Sequence, residues 1–189
     1  VLGLNSTLYE CACLLSEPGS ARQNIHPDHP CSVSIPGNTT TPLVLTCFVA
    51  LQDIDESKGP TTWIPSTHNL KSHGRFQRTR IEDVMDTVSP KDALLQSMSN
   101  VVGILPIGSC VIFDSRILHC GGANVASPEQ DHTAASRALF YISMKHPQVE
   151  YPGNVGSIGY GLDDLHLQLG EMKEILSSSH KTQHKNKTT

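Results

Sequence analysis

His26-Pro27-Asp28 sets a nitrogen donor and an oxygen donor two residues apart. On an extended strand, residues i and i+2 point to the same side, so both side chains can reach a single metal ion. Pro27 biases His26 toward extended backbone, which keeps the two donors on one face. Two histidines and one carboxylate, with coordination positions left open, make the facial triad of non-haem iron(II) oxygen chemistry. A short His-x-Asp spacing also arises by chance in polar loops. Its meaning rests on a third ligand and on an anchor for a co-substrate.

The best third ligand is His119, in the segment Cys110-Val111-Ile112-Phe113-Asp114-Ser115-Arg116-Ile117-Leu118-His119-Cys120-Gly121-Gly122-Ala123-Asn124. If Cys110 to Leu118 is one regular strand, Val111, Phe113, Ser115, Ile117 and His119 share its inward face. A ligand from so distant a strand would also clip two sheets together. Gly121-Gly122 then permits a tight turn and close approach of backbone or ligand. The competing reading is a hydrogen-bonded histidine at a strand end. An organic-acid co-substrate calls for a planar cation that grips a carboxylate in two places, which is an arginine. Arg137 opens the next apolar strand, and an antiparallel neighbour of the His119 strand would carry it toward the metal. Arg116 has the opposite parity to His119 and is expected to face away.

These residues need elements to hold them. Thr7 to Leu15 reads as a strand closed by Glu17-Pro18-Gly19, and Arg22 to Asp28 as an extended piece. Cys31 to Pro42 reads as a polar loop, and Leu43 to Leu51 as a buried strand. Asp53 to Pro60 turns the chain into a short strand, Thr61 to Ile64. Lys71 to Arg80, with Lys71, Arg75, Arg78 and Arg80, reads as a solvated loop; the alternative is a basic patch for an anionic substrate tail. Pro90 to Ser97 is a short helix, and Val101 to Leu105, Cys110 to Leu118 and Ala138 to Met144 are strands. Leu162, Leu165, Leu169, Met172 and Leu176 mark an amphipathic helix that packs outside a sheet. Ser177 to Thr189 is a polar, disordered tail, where His180 and His184 are too loosely held to make a metal site. Many short strands with polar turns predict an all-β jelly roll with flanking helices. Residues 1–176 form its domain, with the helix at about 162–176 and the tail at 177–189.

Composition bounds the rest. The 189 residues carry a formal charge of −4, with 38% hydrophobic and 17% charged residues, as in an ordinary soluble domain. No global basic field invites nucleic acid, and no apolar run reaches the ~18 residues of a membrane span. Six cysteines (Cys11, Cys13, Cys31, Cys47, Cys110, Cys120) include no Cys-x-x-Cys, and most lie in apolar runs as small hydrophobes. Asn-x-Ser/Thr triplets at Asn5, Asn38 and Asn186 are weak signs of secretion in a chain rich in Ser and Thr. The expectation is a reduced, intracellular, cytoplasmic setting. The opening at Val1, without a charged leader, is taken as that of a fragment or a processed product.

Taken together, the order His26-x-Asp28, then Gly59-Pro60-Thr61-Thr62-Trp63-Ile64-Pro65-Ser66-Thr67-His68, then His119-Cys120-Gly121-Gly122-Ala123-Asn124, then Arg137, resembles the phytanoyl-CoA dioxygenase family. The resemblance runs from about Leu8 to Met144. It implies a double-stranded β-helix (cupin-like) that uses iron(II), 2-oxoglutarate as co-substrate, molecular oxygen and ascorbate as a reductant. Carried over by residue, His26, Asp28 and His119 would bind iron, and Arg137 would hold the distal carboxylate of 2-oxoglutarate. Phe48 falls where the family often has an aromatic wall of the co-substrate pocket. His68 falls in a turn whose histidine is usually structural, and His29 breaks the His-x-Asp spacing. Ser66 stands where family turns commonly have glycine. Val125 to Ser136 is a longer excursion before the arginine than usual, either a lid or a surface loop. The helical segment that usually precedes the first strand is missing.

The activity so implied is hydroxylation of an unactivated C–H bond in a small organic or acyl, lipid-like substrate. An aspartate in the ligand set favours hydroxylation over halogenation. Two other classes stay open: a catalytically silent jelly-roll binding module, and a cupin-like metalloenzyme that does not use 2-oxoglutarate.

Overall fold

The computed structural model describes residues 2–31, 42–78, 95–127, 132–149, 167–175 and 177. Among the described residues, seven strands form two antiparallel sheets. They are β1 (Thr7–Ser16), β2 (Val44–Ala50), β3 (Thr61–Trp63), β4 (Val101–Val102), β5 (Cys110–Asp114), β6 (His119–Gly121) and β7 (Arg137–Lys145). The larger sheet has the order β1-β7-β2-β5 and the smaller β4-β3-β6. This is the expected double-stranded β-helix: sequence neighbours such as β1 and β2 are separated by the last strand, β7.

Alternation in β2 explains how the larger sheet faces inward. Val44, Thr46, Phe48 and Ala50 are buried while Leu45, Cys47 and Val49 are half-exposed on the other face. Across the β2–β7 ladder Phe48 meets Tyr141 and Ala50 meets Leu139. Phe48, Ala50 and Leu139 join Ile54, Trp63 and Phe113 in one core, with the Phe48 ring edge-on to Phe113 at 5.0 Å. Edge-to-face aromatic pairs of this kind add to what area burial alone supplies. Of the six cysteines only Cys120 is buried, and all six are free thiols. Most therefore do not serve as buried small hydrophobes, as their apolar runs suggest: Cys11, Cys31 and Cys47 are half-buried, and Cys13 and Cys110 lie on the exposed outer side of the larger sheet.

Three elements differ from expectation, the simplest being the strand expected over Val101 to Leu105, which is only Val101–Val102; the other two bear on the site. Cys110 to Leu118 is not one strand: a turn at residues 115–117 divides β5 from β6, which belongs to the other sheet. The cause lies in Asp114, whose carboxylate accepts from the Arg116 backbone N–H (3.0 Å) and from Arg116 Nε and Nη2 (2.9 and 2.6 Å). A local side chain has thus outcompeted the sheet ladder for this backbone. The second is Leu70–Arg78, a helix (α1) rather than a loop. Asn69 caps it, its Oδ1 accepting from Ser72 N at 2.9 Å. His73 and Phe76, three residues apart, turn toward the protein; Phe76 packs on Ile25, Ile64, Leu118 and Cys120. A histidine on the buried face hides the apolar stripe from a periodicity count. Lys71 is exposed, while Arg80 and the side chains of Arg75 and Arg78 lie outside what is described.

The turn before α1 is tied to the site. Thr67 Oγ1 donates to the Ile64 carbonyl (2.7 Å) and accepts from Leu118 N (2.9 Å), one residue before His119. Ser66, at the glycine-preferring position, has φ +64° and is the only described non-glycine residue with positive φ. Ser66→Gly is therefore expected to stabilise the fold by about 0.5–1 kcal/mol, the relief of left-handed strain exceeding the added chain entropy. A higher denaturation midpoint checks it.

Of the C-terminal helix, residues 169–175 are described and helical, and 162–166 and 176 fall outside. Gln168 N donates to Glu171 Oε2 at 2.8 Å, a capping contact that starts the helix there. Its entry segment pairs with the chain start, Leu169 N to Ser6 O and Gly170 N to Leu4 O. Most of Cys31 to Pro42, of Pro90 to Ser97 and of the tail from 177 on also lies outside the described residues. No helix among the described residues is long and apolar enough to cross a membrane.

Candidate metal centre

The extended piece that carries His26 and Asp28 runs antiparallel beside β6. His26 N donates to His119 O and His119 N to His26 O, both at 2.9 Å. Such a reciprocal pair puts the two side chains directly opposite each other on one face. The rings are accordingly 4.6 Å apart between centroids. Asp28 Oδ1 lies 3.7 Å from His26 Nε2 and 3.5 Å from His119 Nε2. The three donor atoms all lie within 4.8 Å of one another. Closing around an ion with bonds near 2.0–2.2 Å would need little movement.

Hydrogen bonding decides which ring atoms face inward. His26 Nδ1 is 2.7 Å from the Asn24 carbonyl and His119 Nδ1 is 2.9 Å from the Ile117 carbonyl. A carbonyl can only accept, so each Nδ1 carries the proton and each Nε2 keeps its lone pair toward Asp28. This is how metal-binding histidines are usually held by their surroundings.

His119 is buried and His26 is not. Burial lowers the His119 pKa, but the Asp28 hydrogen bond and charge outweigh it and raise the value above the usual 6.5. A raised value stabilises the metal-free fold fully below about 6.5, and the contribution is lost as pH climbs through the elevated value. Metal binding requires the neutral ring and runs the opposite way. Iron affinity is expected to fall as pH is lowered through this range, with protons released on binding. Calorimetry in two buffers of different ionisation enthalpy measures that release.

A cavity of about 550 Å³ holds His26, Asp28 and His119 together with Phe48 and Arg137. Arg137 does not come from an antiparallel neighbour of the His119 strand, as the sequence order suggests. It heads β7, which pairs with β1 and β2, and so enters from the opposite sheet. The three clustered residues therefore do not clip the sheets together; they all stand on the smaller sheet and its extension, and Arg137 faces them across the cavity. Gly121 is what allows the approach, because a Cβ there would lie 2.9 Å from both Arg137 Nη2 and Gln23 Oε1. Gly122 instead packs backbone to backbone on Gly59.

Arg137 is 6% exposed, and its Nε and Nη1 are buried without a hydrogen-bond partner among the described residues. Burial alone pulls its pKa below the ordinary arginine value. An unpaired buried guanidinium is costly, and a carboxylate is the group that would repair it. Arg116 is occupied by Asp114 and lies outside the cavity. Its direction agrees with expectation, although the turn rather than strand parity is the reason.

The rival histidines have other positions. His29 is buried in the cavity wall beside Tyr9, ring centroids 6.1 Å apart, and burial lowers its pKa. His68 is exposed in the turn before α1. His73, which no motif marked, bridges structure: Nε2 donates to the Arg116 carbonyl (2.7 Å) and Nδ1 accepts from Cys31 N (3.2 Å). Sequence reasoning also missed Gln23, whose Oε1 accepts from Gly121 N at 2.8 Å. It missed a buried hydroxyl group of three as well, Thr46 Oγ1 bonding Ser115 Oγ (2.8 Å) and Ser143 Oγ (2.9 Å). Inward parity on β2, β5 and β7 was the available signal, and it already set Ser115 on the inward face; what it did not show was that the three hydroxyls meet.

Solved structures similar to this chain include AviO1 from Streptomyces viridochromogenes Tue57, at 20% identity and TM-score 0.52, over 78% of this chain and 53% of that one. The non-heme alpha ketoglutarate dependent carbocyclase SnoK from nogalamycin biosynthesis is similar at 18% identity and TM-score 0.52, over 87% and 57%. The apo non-heme monooxygenase ThoJ follows at 16% and 0.52, over 88% and 54%. At these identities the likeness is one of fold, and the chain spans little more than half the length of these structures. No curated protein matches the sequence. The sequence model of the family described as phytanoyl-CoA dioxygenase (PhyH) matches residues 3–131, which take in His26, Asp28 and His119, and the chain belongs to that family.

Proposed function

We propose that this chain is the core of an iron(II)- and 2-oxoglutarate-dependent dioxygenase that hydroxylates an unactivated C–H bond of a small organic or lipid-like molecule. The observation that carries this reading is the pairing of two features in one cavity: a His-Asp-His cluster with both Nε2 atoms turned inward, and a buried guanidinium whose Nε and Nη1 have no hydrogen-bond partner among the described residues. Iron(II), 2-oxoglutarate and oxygen supply an oxidation that splits the keto acid into succinate and carbon dioxide and places an oxygen atom in the substrate.

The protein's part is placement and exclusion of water. His26, Asp28 and His119 would hold the metal on one face and leave the opposite face to the reactants. Arg137 would grip the distal carboxylate, and Phe48 and Tyr141 would wall the carbon chain. Residues 1–176 are proposed as the domain that carries this site. Family membership supports the chemistry; the substrate is an inference from the cavity, whose volume suits a small organic molecule.

Anaerobic titration of iron-loaded protein with 2-oxoglutarate tests the reading. A weak visible charge-transfer band is expected. Metal binding without the band points instead to a cupin-like enzyme that does not use the keto acid. Failure to bind metal points to a jelly-roll binding module.

A further inference from the structure

Arg137 is the last residue of its ladder. It pairs with Ser16, the end of β1, and both chains then leave the sheet. Strand ends fray, and a side chain that must meet a carboxylate needs a backbone that does not. Something has to close this end.

Asn124 does so. It is 1% exposed, and its Nδ2 donates to the Ser16 carbonyl (2.8 Å) and to the Ala135 carbonyl (3.0 Å). Ser16 is the register partner of Arg137, and Ala135 lies two residues before it. Its Oδ1 accepts from Ala126 N (3.1 Å). Its own backbone N donates to Ser20 O (3.0 Å), and its carbonyl accepts from Gly19 N (2.8 Å). One amide therefore joins three pieces: the segment after the ligand strand β6, the end of β1, and the lead-in to Arg137.

We propose that Asn124 is a positioning residue for Arg137, fixing the guanidinium opposite the metal ligands whatever the length of the 125–136 excursion; Gln52, whose Nε2 donates to the Ser136 carbonyl, holds the same lead-in from β2's side. Both ends of the excursion are pinned by this one side chain, at Ala126 and at Ala135. Extra residues between them need not move Arg137. The inference rests on the proposed role of Arg137 as the co-substrate anchor.

The test is a double-mutant cycle between Asn124→Ala and Arg137→Ala, read by direct binding of 2-oxoglutarate and of iron(II) under anaerobic conditions. Asn124→Ala is expected to weaken 2-oxoglutarate binding about tenfold or more and to leave iron binding within about twofold. In the Arg137→Ala background the same change should cost nothing further. An equal loss in both backgrounds, equal losses for iron and keto acid, or unchanged binding would overturn the proposal. Asn124→Asp keeps the volume and the acceptor for Ala126 while losing the paired donors, and should behave as Asn124→Ala does if the latter folds poorly. A crystal structure of the variant adds a readout independent of binding: Arg137 displaced supports the inference, and Arg137 in place refutes it. If the unaltered protein binds no 2-oxoglutarate, the functional proposal has failed, and the Arg137 position still decides this one.

Discussion

Replacing Asp28 with alanine is expected to abolish succinate formation and to weaken iron(II) binding by at least about 100-fold. Loss of a group that only orients a metal ligand costs 10–100-fold, and loss of a ligand should cost no less. Asp28 is the only anionic member of the cluster, so the ion also loses the charge that offsets its own. A second consequence separates a ligand from a structural carboxylate. Asp28 raises the His119 pKa, so the metal-free variant should lose the pH dependence of stability that the His119–Asp28 pair creates. Thermal unfolding across pH 5–8 in the absence of metal measures it. Unchanged turnover in Asp28→Ala would sink the assignment.

Arg137→Ala should weaken 2-oxoglutarate by roughly two orders of magnitude while sparing iron. Hydrogen bonds to a charged partner contribute about 1.5–3 kcal/mol each, and a guanidinium can make two to one carboxylate. Arg137→Lys should rescue little, because an ammonium is a point charge that cannot match the planar fork. Stability moves the other way. The guanidinium is buried with Nε and Nη1 unpaired among the described residues, so Arg137→Met should raise the melting temperature of the protein without ligand. It should also remove the further rise that 2-oxoglutarate gives the unaltered chain. A variant more stable alone and less stabilised by the keto acid is the signature of a binding arginine. A structural arginine would show only destabilisation.

Much of this was legible in the chain because it is local. His26 and Asp28 share a face by strand parity, and Pro27 reinforces it. The alternation of Val44, Thr46, Phe48 and Ala50 is visible directly, and β2 runs within one residue of its expected limits. Local competition was harder to see. The Asp114 carboxylate turns the chain at Arg116, and that turn moves His119 from one sheet to the other. His73 on the buried side of α1 disguised a helix as a loop, since its partners, the Arg116 carbonyl and Cys31 N, are distant in sequence.

The sequence by itself determined the candidate donor types, the His-x-Asp spacing and the jelly-roll class, and it singled out Arg137 over Arg116 as the proposed anchor. Tertiary structure alone decided how they meet. His119 lies opposite His26 through a reciprocal backbone pair, and Arg137 reaches them from the facing sheet across Gly121. The physical reason is range. Strand parity and turn chemistry act over a few residues and are written in neighbouring side chains. Which strands pair, and which carbonyls Asn124 ties together, is settled only when segments distant in sequence are packed against one another.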